Sequence, residues 1–391
     1  MKIAVIGASG AGLYAAIFLK KNHPEYEVHL FDKNEKLGRK LLATGNGHAN
    51  VLNINTSGEH FNHPSFFQKY QKDYPFGELQ HQLASLGVIL KKEKDQDYVY
   101  PVSFSAPSYV HYLAQVLEDL GVILHMSTKV LDYENGEPCT LKTDAGALSF
   151  DELVFVTGGK SQANLGSDGS LFPVFEKHGY KIVSLKPGLC PIKTKEKTKS
   201  ISGQRHKAKV TILLGDVVAR EEEGEVLFKD DGLSGIVIFN AASYINHLEN
   251  PERLSIVLDL FPEITLTALV ADLFDSMSKH PSFFLDAYLP APLRDYVMKI
   301  AGVGVSNVAS KKDCYQLAKA LKGMEFHVDS TYGFASSQVT IGGIALEEVD
   351  ANLRSIREKH VSFAGECLDI DGLCGGHNLT WCLISALVVA K

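Results

Sequence analysis

Residues 3–6 form an uninterrupted apolar run, Ile-Ala-Val-Ile, that stops at Gly7. That is the pattern of a parallel strand buried on both faces. Residues 11–21, rich in alanine and leucine, predict a helix, and residues 28–31 predict a second buried strand closed by Asp32. Helical patterns follow at roughly 64–86 and 106–119, then the short strand-like runs VILHM, STKVLDY, CTLKT and ALSF. DELVFVTGG, residues 151–159, is again a buried strand that ends in glycines. From about residue 187 the pattern turns polar and alternating, in AKVTILLG, VVAREEE and GEVLF, which predicts antiparallel strands inserted into the first domain. Residues 265–322 read as mostly helical. After FHVDSTYGF the chain returns through QVTIGGIAL and VSFAGE to a final helix. There Leu379, Cys382, Leu383, Ala386, Leu387 and Ala390 recur at three- and four-residue steps as one apolar stripe, with Asn378 at the N-cap place.

Length and composition narrow the class. At ~150 residues per domain, 391 residues predict two or three domains. With 45% hydrophobic and 22% charged residues the chain is an ordinary globular one. A net charge of −7 offers no concentrated basic surface for nucleic acid or an anionic membrane. Residues 186–209 are locally rich in lysine and arginine and read as a solvated loop and edge strands. Six cysteines without a C-x-x-C pair predict neither a zinc site nor a disulfide framework, which fits a cytoplasmic protein without a metal. The uncharged stretch 3–19 contains Gly7, Ser9, Gly10 and Gly12 and no Ala-x-Ala site, so it is read neither as a signal peptide nor as an anchor.

The stretch VIGASGAGL, residues 5–13, carries the first chemistry. A dinucleotide fingerprint has glycine at its first, third and sixth places, and here Ser9 fills the third. Serine is the smallest replacement with a Cβ, and Gly10 beside it adds backbone freedom, so phosphate can still approach. Strand, glycine turn, helix, strand and acid fall in one ~30-residue unit, the acid at Asp32, 20 positions after Gly12. Asp32 predicts ribose hydrogen bonds and disfavours a 2′-phosphate, leaving FAD or NAD. No second such unit follows: GVGVSN, residues 302–307, lacks the strand and the third glycine and reads as loop.

LGRKLLATGNGHANVLN (37–53), VFVTGGKS (154–161) and FAGECLDIDGLCGGHNLTW (363–381) resemble a family of bacterial three-domain flavoproteins, some called aminoacetone oxidases and others FAD/NAD(P)-dependent oxidoreductases. GEVLFKDDGLSG in the insertion resembles it more weakly. The resemblance implies an α/β protein with a Rossmann-type FAD-binding domain built from both chain ends (1–187 and 335–391). It also implies an inserted β-rich substrate domain (188–264 and 323–334) and a small helical domain (265–322). Gly7, Ser9, Gly10, Gly12 and Asp32 would hold the ADP half of FAD. Arg39 and Lys40 would meet phosphate or ribose, and Thr44, Gly45, Asn46 and Gly47 would lie near the flavin. Val130 would touch adenine through its backbone, Thr157 and Gly158 match the strand-end T-G-G, and Gly365 and Glu366 match the segment that reaches ribityl or phosphate oxygens. The late motif has its own rationale: donors from Gly376, His377, Asn378 and Leu379 at a helix start would stabilise negative charge on a reduced flavin. The chain departs from the family at His48 and Ala49, where arginine and cysteine are common, and at His377, where an aromatic residue is common, so substrate contacts do not carry over there.

The reading that follows is an FAD-dependent oxidase. A small primary amine such as aminoacetone gives hydride to flavin N5, the imine hydrolyses to methylglyoxal and ammonia, and oxygen becomes hydrogen peroxide; the substrate comes from the resemblance alone. Hydride loss needs the neutral amine, so His48, Lys160 and His377, beside the flavin motifs, are the candidate proton-transfer groups, though each also suits a structural role. Aromatic residues in VYPVSFSAP, residues 99–107, are candidate pocket walls. The alternatives are an NAD(P)H-dependent flavoprotein reductase of an unsaturated small molecule and a flavin-binding module without turnover.

Overall fold

The computed structural model of the chain describes residues 1–94, 96–249, 253–304 and 310–391. Residues 305–307 of the GVGVSN stretch lie outside them. Two compact units emerge: Met1–Gly188 with Phe334–Lys391, and Leu189–Gly333.

The first unit is built on a parallel sheet. Its strands are β1 (Lys2–Ile6), β2 (Glu27–Phe31), β3 (Ile123–His125), β4 (Glu152–Phe155) and β5 (Val361–Phe363), in the order β5-β4-β1-β2-β3. Each neighbouring pair is parallel. The apolar runs explain this: Ile3, Ala4, Val5, Ile6, Val28, Leu30 and Phe31 are at most 4% exposed, which requires cover on both sheet faces. Helix α1 (Gly10–Asn22) covers one face, with ten consecutive residues from Gly10 to Leu19 buried. Helix α2 (His377–Val389) packs beside it, placing Cys382 Sγ 3.4 Å from where a Gly10 side chain would begin. A hairpin meander, Val130–Glu134, Cys139–Thr143 and Gly146–Phe150, joins β3 to β4.

The predicted helix at 106–119 appears as Ala106–Asp119, with Ser105 accepting the Ser108 N–H at its N-terminus. The run 64–86 is instead two helices, Pro64–Gln71 and Phe76–Ala84, because Pro75 lacks an N–H and opens the second.

The second unit is a closed antiparallel barrel of six strands in the order Ile192–Thr194, Gly232–Ser234, Val217–Lys229, Arg205–Leu214, Leu254–Asp259 and Met324–Thr331. Leu266–Lys279, Ala291–Ile300 and Lys311–Lys322 are helices, and their Leu273, Val297 and Leu317 share one apolar cluster with Ile192, Phe228 and Phe326 of the barrel. One expectation changes here. VVAREEE and GEVLF are one strand of 13 residues, and the glycine between them makes no turn. A Cβ on Gly224 would lie 2.5 Å from Val237 Cγ1, so this glycine is the gap that lets helix Ile236–His247 lie on the strand.

Replacing Gly224 with valine is therefore expected to destabilise the protein by about 1–3 kcal/mol despite valine's strand propensity, seen as a lower urea midpoint.

Candidate functional site

All the predicted site residues lie in the first unit, and most gather where the carboxyl ends of β1, β2 and β4 meet the start of α1. Gly7 turns the chain at φ 114°, a left-handed backbone that favours glycine. A Cβ on Gly12 would lie 1.7 Å from the Gly7 carbonyl oxygen, so no side chain fits between the helix and the turn. Ser9 is the N-cap residue of α1, in extended conformation at φ −118°. A serine adopts that backbone without strain, and its Oγ accepts the Leu41 N–H at 3.3 Å. The place that departs from the fingerprint thus tolerates a Cβ, and the place that cannot, Gly12, keeps its glycine.

Asp32 closes the turn from the other side. Its carboxylate accepts N–H bonds from Ala8 and Asn34, both at 2.8 Å. Gly7, Asp32, Val130 and Thr157 line one cleft together with Lys33, Gly169 and Phe172. Among the described residues the N–H groups of Gly10 and Gly12 meet no backbone or carboxylate acceptor, so the helix start remains a donor site for an anion. Cys382 does not oppose one: burial pushes its thiol up to about 12, and it stays neutral.

The two basic residues are engaged with protein. Arg39 donates to Asn34 Oδ1 at 2.9 Å and to the Asn164 carbonyl at 2.7 Å, clamping the loop behind Asp32. Lys40 pairs with Glu366 at 2.7 Å, and the other Glu366 oxygen accepts the Thr340 N–H at 2.8 Å. Gly365 is held against α2: its N–H donates to Ser385 Oγ at 3.0 Å, and Trp381 Nε1 donates to its carbonyl at 3.1 Å. Gly158 is left-handed at φ 69°. Beyond it, Thr340 Oγ1 receives the N–H groups of Lys160 at 2.7 Å and Ser161 at 3.1 Å.

A second assembly brings two glycine turns together. Thr44–Gly47 is a tight turn with Gly45 at φ 54°, Asn46 at φ 53° and Gly47 at φ 87°. Asn46 in the left-handed region is strained backbone of the kind that concentrates at functional sites. Opposite lies the start of α2, with Gly375 at φ 124° and Gly376, the N-cap residue, at φ 92°. Asn50 joins them: its N lies 2.9 Å from a Cβ position on Gly45 and its Oδ1 2.8 Å from one on Gly376. The N–H groups of His377 and Leu379 have no acceptor among the described residues. Tyr98 and Tyr100 wall the same place, their Cε1 atoms 2.9 Å and 3.2 Å from Cβ positions on Gly375 and Gly45.

A protein-family comparison matches residues 1–391 to the HI0933-like protein Rossmann domain. The chain belongs to the HI0933-like family. It is 29% identical to a 3-dehydro-bile acid delta(4,6)-reductase of Clostridium scindens, covering 97% of this chain and 96% of that protein. To a ribosomal RNA dihydrouridine synthase of Haemophilus influenzae it is 25% identical, covering 99% and 96%. Its fold is like that of 3-ketosteroid delta1-dehydrogenase from Sterolibacterium denitrificans, with a TM-score of 0.51, 12% identity and coverage of 100% and 99%. Family and fold support FAD as the cofactor and place the chain among FAD-dependent oxidoreductases. The fit is physical as well: open amides at two helix starts suit pyrophosphate and an electron-rich flavin edge, and the Gly7–Gly12 approach leaves room for phosphate.

The candidate proton-transfer groups of this HI0933-like chain separate. His48 donates from Nδ1 to the Phe104 carbonyl at 2.8 Å and stacks on Phe104, with ring centroids 4.2 Å apart. Its Nε2 is thereby left as the open nitrogen beside the Thr44–Gly47 turn. Lys160 is exposed, its ammonium 5.0 Å over the Phe334 ring. His377 is 4% exposed and turned away from the glycine turns, stacked on His60 at 4.1 Å and donating from Nδ1 to Thr56 Oγ1 at 3.0 Å. Asn378 is not the N-cap residue: it lies inside α2, and its carboxamide makes two 2.8 Å bonds to the N–H and carbonyl of Gly372. Pinning that loop on both sides satisfies two backbone groups where a cap satisfies one. Sequence reasoning missed Asn50, Thr340 and Asn34. Asn50 follows the glycine turn by three positions and Asn34 follows Asp32 by two, which were usable signals; Thr340 acts through contacts distant in sequence.

Burial, with a smaller contribution from His60, lowers the His377 imidazole to about 3, so it is neutral when folded. The unfolded chain takes up a proton between pH 6.5 and 3 that the native state does not. This term is therefore whole above pH 6.5 and falls on acidification by about 1.4 kcal/mol per pH unit within that window. His377→Phe keeps the stacking on His60 and removes the titration. Urea unfolding from pH 7 to 4 should lose stability less steeply in the variant than in the natural protein.

Proposed function

We propose that the protein is an FAD-dependent reductase of a carbon–carbon double bond conjugated to a carbonyl group, with NAD(P)H as the electron source. The observation that carries this reading is His48, whose tautomer is fixed by Phe104 so that Nε2 stands open beside the turn read as flavin-binding. Two full-length relatives support it: one is named a reductase, and the other a synthase of dihydrouridine, a pyrimidine with a saturated ring bond. The bound flavin supplies the hydride for the β carbon. The chain's part is the rest: His48 Nε2 carries the proton for the α carbon, and the open amides of His377 and Leu379 favour negative charge nearby. Phe104, which stacks on His48, is 44% exposed, and this apolar surface suits an apolar substrate over a charged one such as RNA. Oxidation of a small amine to peroxide, the reading the aminoacetone oxidase resemblance implies, finds no support in these relatives.

Anaerobic stopped-flow separates the two. NAD(P)H should bleach the flavin absorbance and an enone such as a 3-keto-4-ene steroid should restore it, whereas aminoacetone should do neither; bleaching by aminoacetone, with peroxide released in air, would overturn the proposal. His48→Gln should slow reoxidation by the enone about 10²- to 10⁴-fold while the purified protein keeps its FAD.

A further inference from the structure

The cleft read as the adenosine site is lined by Gly7, Asp32 and Thr157, at or just beyond the ends of β1, β2 and β4, and, from a separate loop, by Gly166, Asp168 and Gly169. Lys33, next to Asp32, lines it too, and its ammonium pairs with the Asp168 carboxylate at 2.6 Å. Both side chains are partly exposed, at 26% and 39%, which puts the pair at the mouth of the cleft. We propose that residues 166–170 form a strap across that mouth, closed by the Lys33–Asp168 pair, and that this pair sets how fast FAD enters and leaves. The proposal rests on the FAD assignment above and adds a gate to it.

The way the loop is tied singles out this pair. Its earlier half is held by residues that do not line the cleft: Arg39 donates to the Asn164 carbonyl at 2.7 Å, and a Cβ on Gly166 would lie 2.2 Å from Asn34 Nδ2. Its later end is anchored by Phe172, 4% exposed. Between these anchors stands Asp168, flanked by Gly166 and Gly169 with left-handed backbones at φ 103° and φ 70°. Glycines at both places let the segment swing without strain once the ion pair parts. Within the strap, the Asp168 carboxylate accepts the Ser170 N–H at 3.0 Å; outside it, among the described residues, its side-chain partner is Lys33. The pair joins protein to protein and leaves the cofactor out, so it stabilises the closed strap with or without FAD. Loosening it therefore speeds passage in both directions and changes affinity little.

Stopped flow measures both directions: uptake by the flavin-stripped protein through quenching of FAD fluorescence, and release from the holoprotein through displacement by excess 5-deaza-FAD. Lys33→Gln and Asp168→Asn should each speed uptake and release alike, about two- to fivefold, with Kd changed by less than about twofold. Lys33→Arg, which keeps the charge, should stay near the natural rates. The double variant Lys33→Gln/Asp168→Asn should be no faster than the single ones, because each removes the same pair. Unchanged rates in the single variants overturn the proposal, as do rates that multiply in the double variant. Faster release without faster uptake overturns it as well, since that would make either residue a direct contact of adenosine. Should one single variant fail to fold by circular dichroism, the other decides, since both break one pair. Inability of the stripped natural protein to take up FAD would overturn the FAD assignment, and the strap with it.

Discussion

The near-contact of backbone at Gly7 and Gly12 is the constraint from which the flavin half of this protein follows. A helix that starts so close to its strand aims its free amides into the end of the sheet, and no side chain is tolerated there. The second helix, at the other end of the sequence, then docks with Cys382 against Gly10, and Gly365 is tied to Ser385 and Trp381 of that helix. The ends of the chain are joined by packing, and the glycine turns at 44–47 and 375–376 meet as a consequence.

Charge in the site is distributed with the same economy. Lys40 and Glu366 neutralise each other, and Glu366 also accepts the Thr340 N–H, so neither stands as a free charge. Arg39 is spent on Asn34 and Asn164. The donors left over are backbone amides, which cannot be titrated away and which the helix dipoles reinforce. Histidines show the converse. His377, the more conspicuous in the motif, is buried neutral against His60, whereas His48 is partly exposed.

The relatives are named for a reduction and for dihydrouridine synthesis, and the function proposed above follows them where the resemblance implied amine oxidation. The motifs describe how a flavin is held, and flavin-holding residues are shared by enzymes with opposite electron flow. In the function proposed above, what separates the reactions is His48 with Phe104 and the tyrosine wall, in a segment where this chain departs from its own family pattern.

Local pattern determined a good deal. Apolar runs ending in glycine identified β1, β2 and β4, because strands covered on both faces have no polar positions to alternate. Gly7, Gly12 and Asp32 announced the nucleotide turn through spacing, since a tight turn, a close approach and a ribose acceptor each need one residue type at one place. The tertiary structure alone decided the rest. It made one strand of VVAREEE and GEVLF by laying a helix over Gly224, turned Asn378 from a cap into a brace, and withdrew Lys40 and His377 into contacts with Glu366 and Thr56. The partners of Lys40 and His377 lie more than 300 positions away, beyond any local window, and those of Gly224 and Asn378, near in sequence, are set by how the chain folds back on itself.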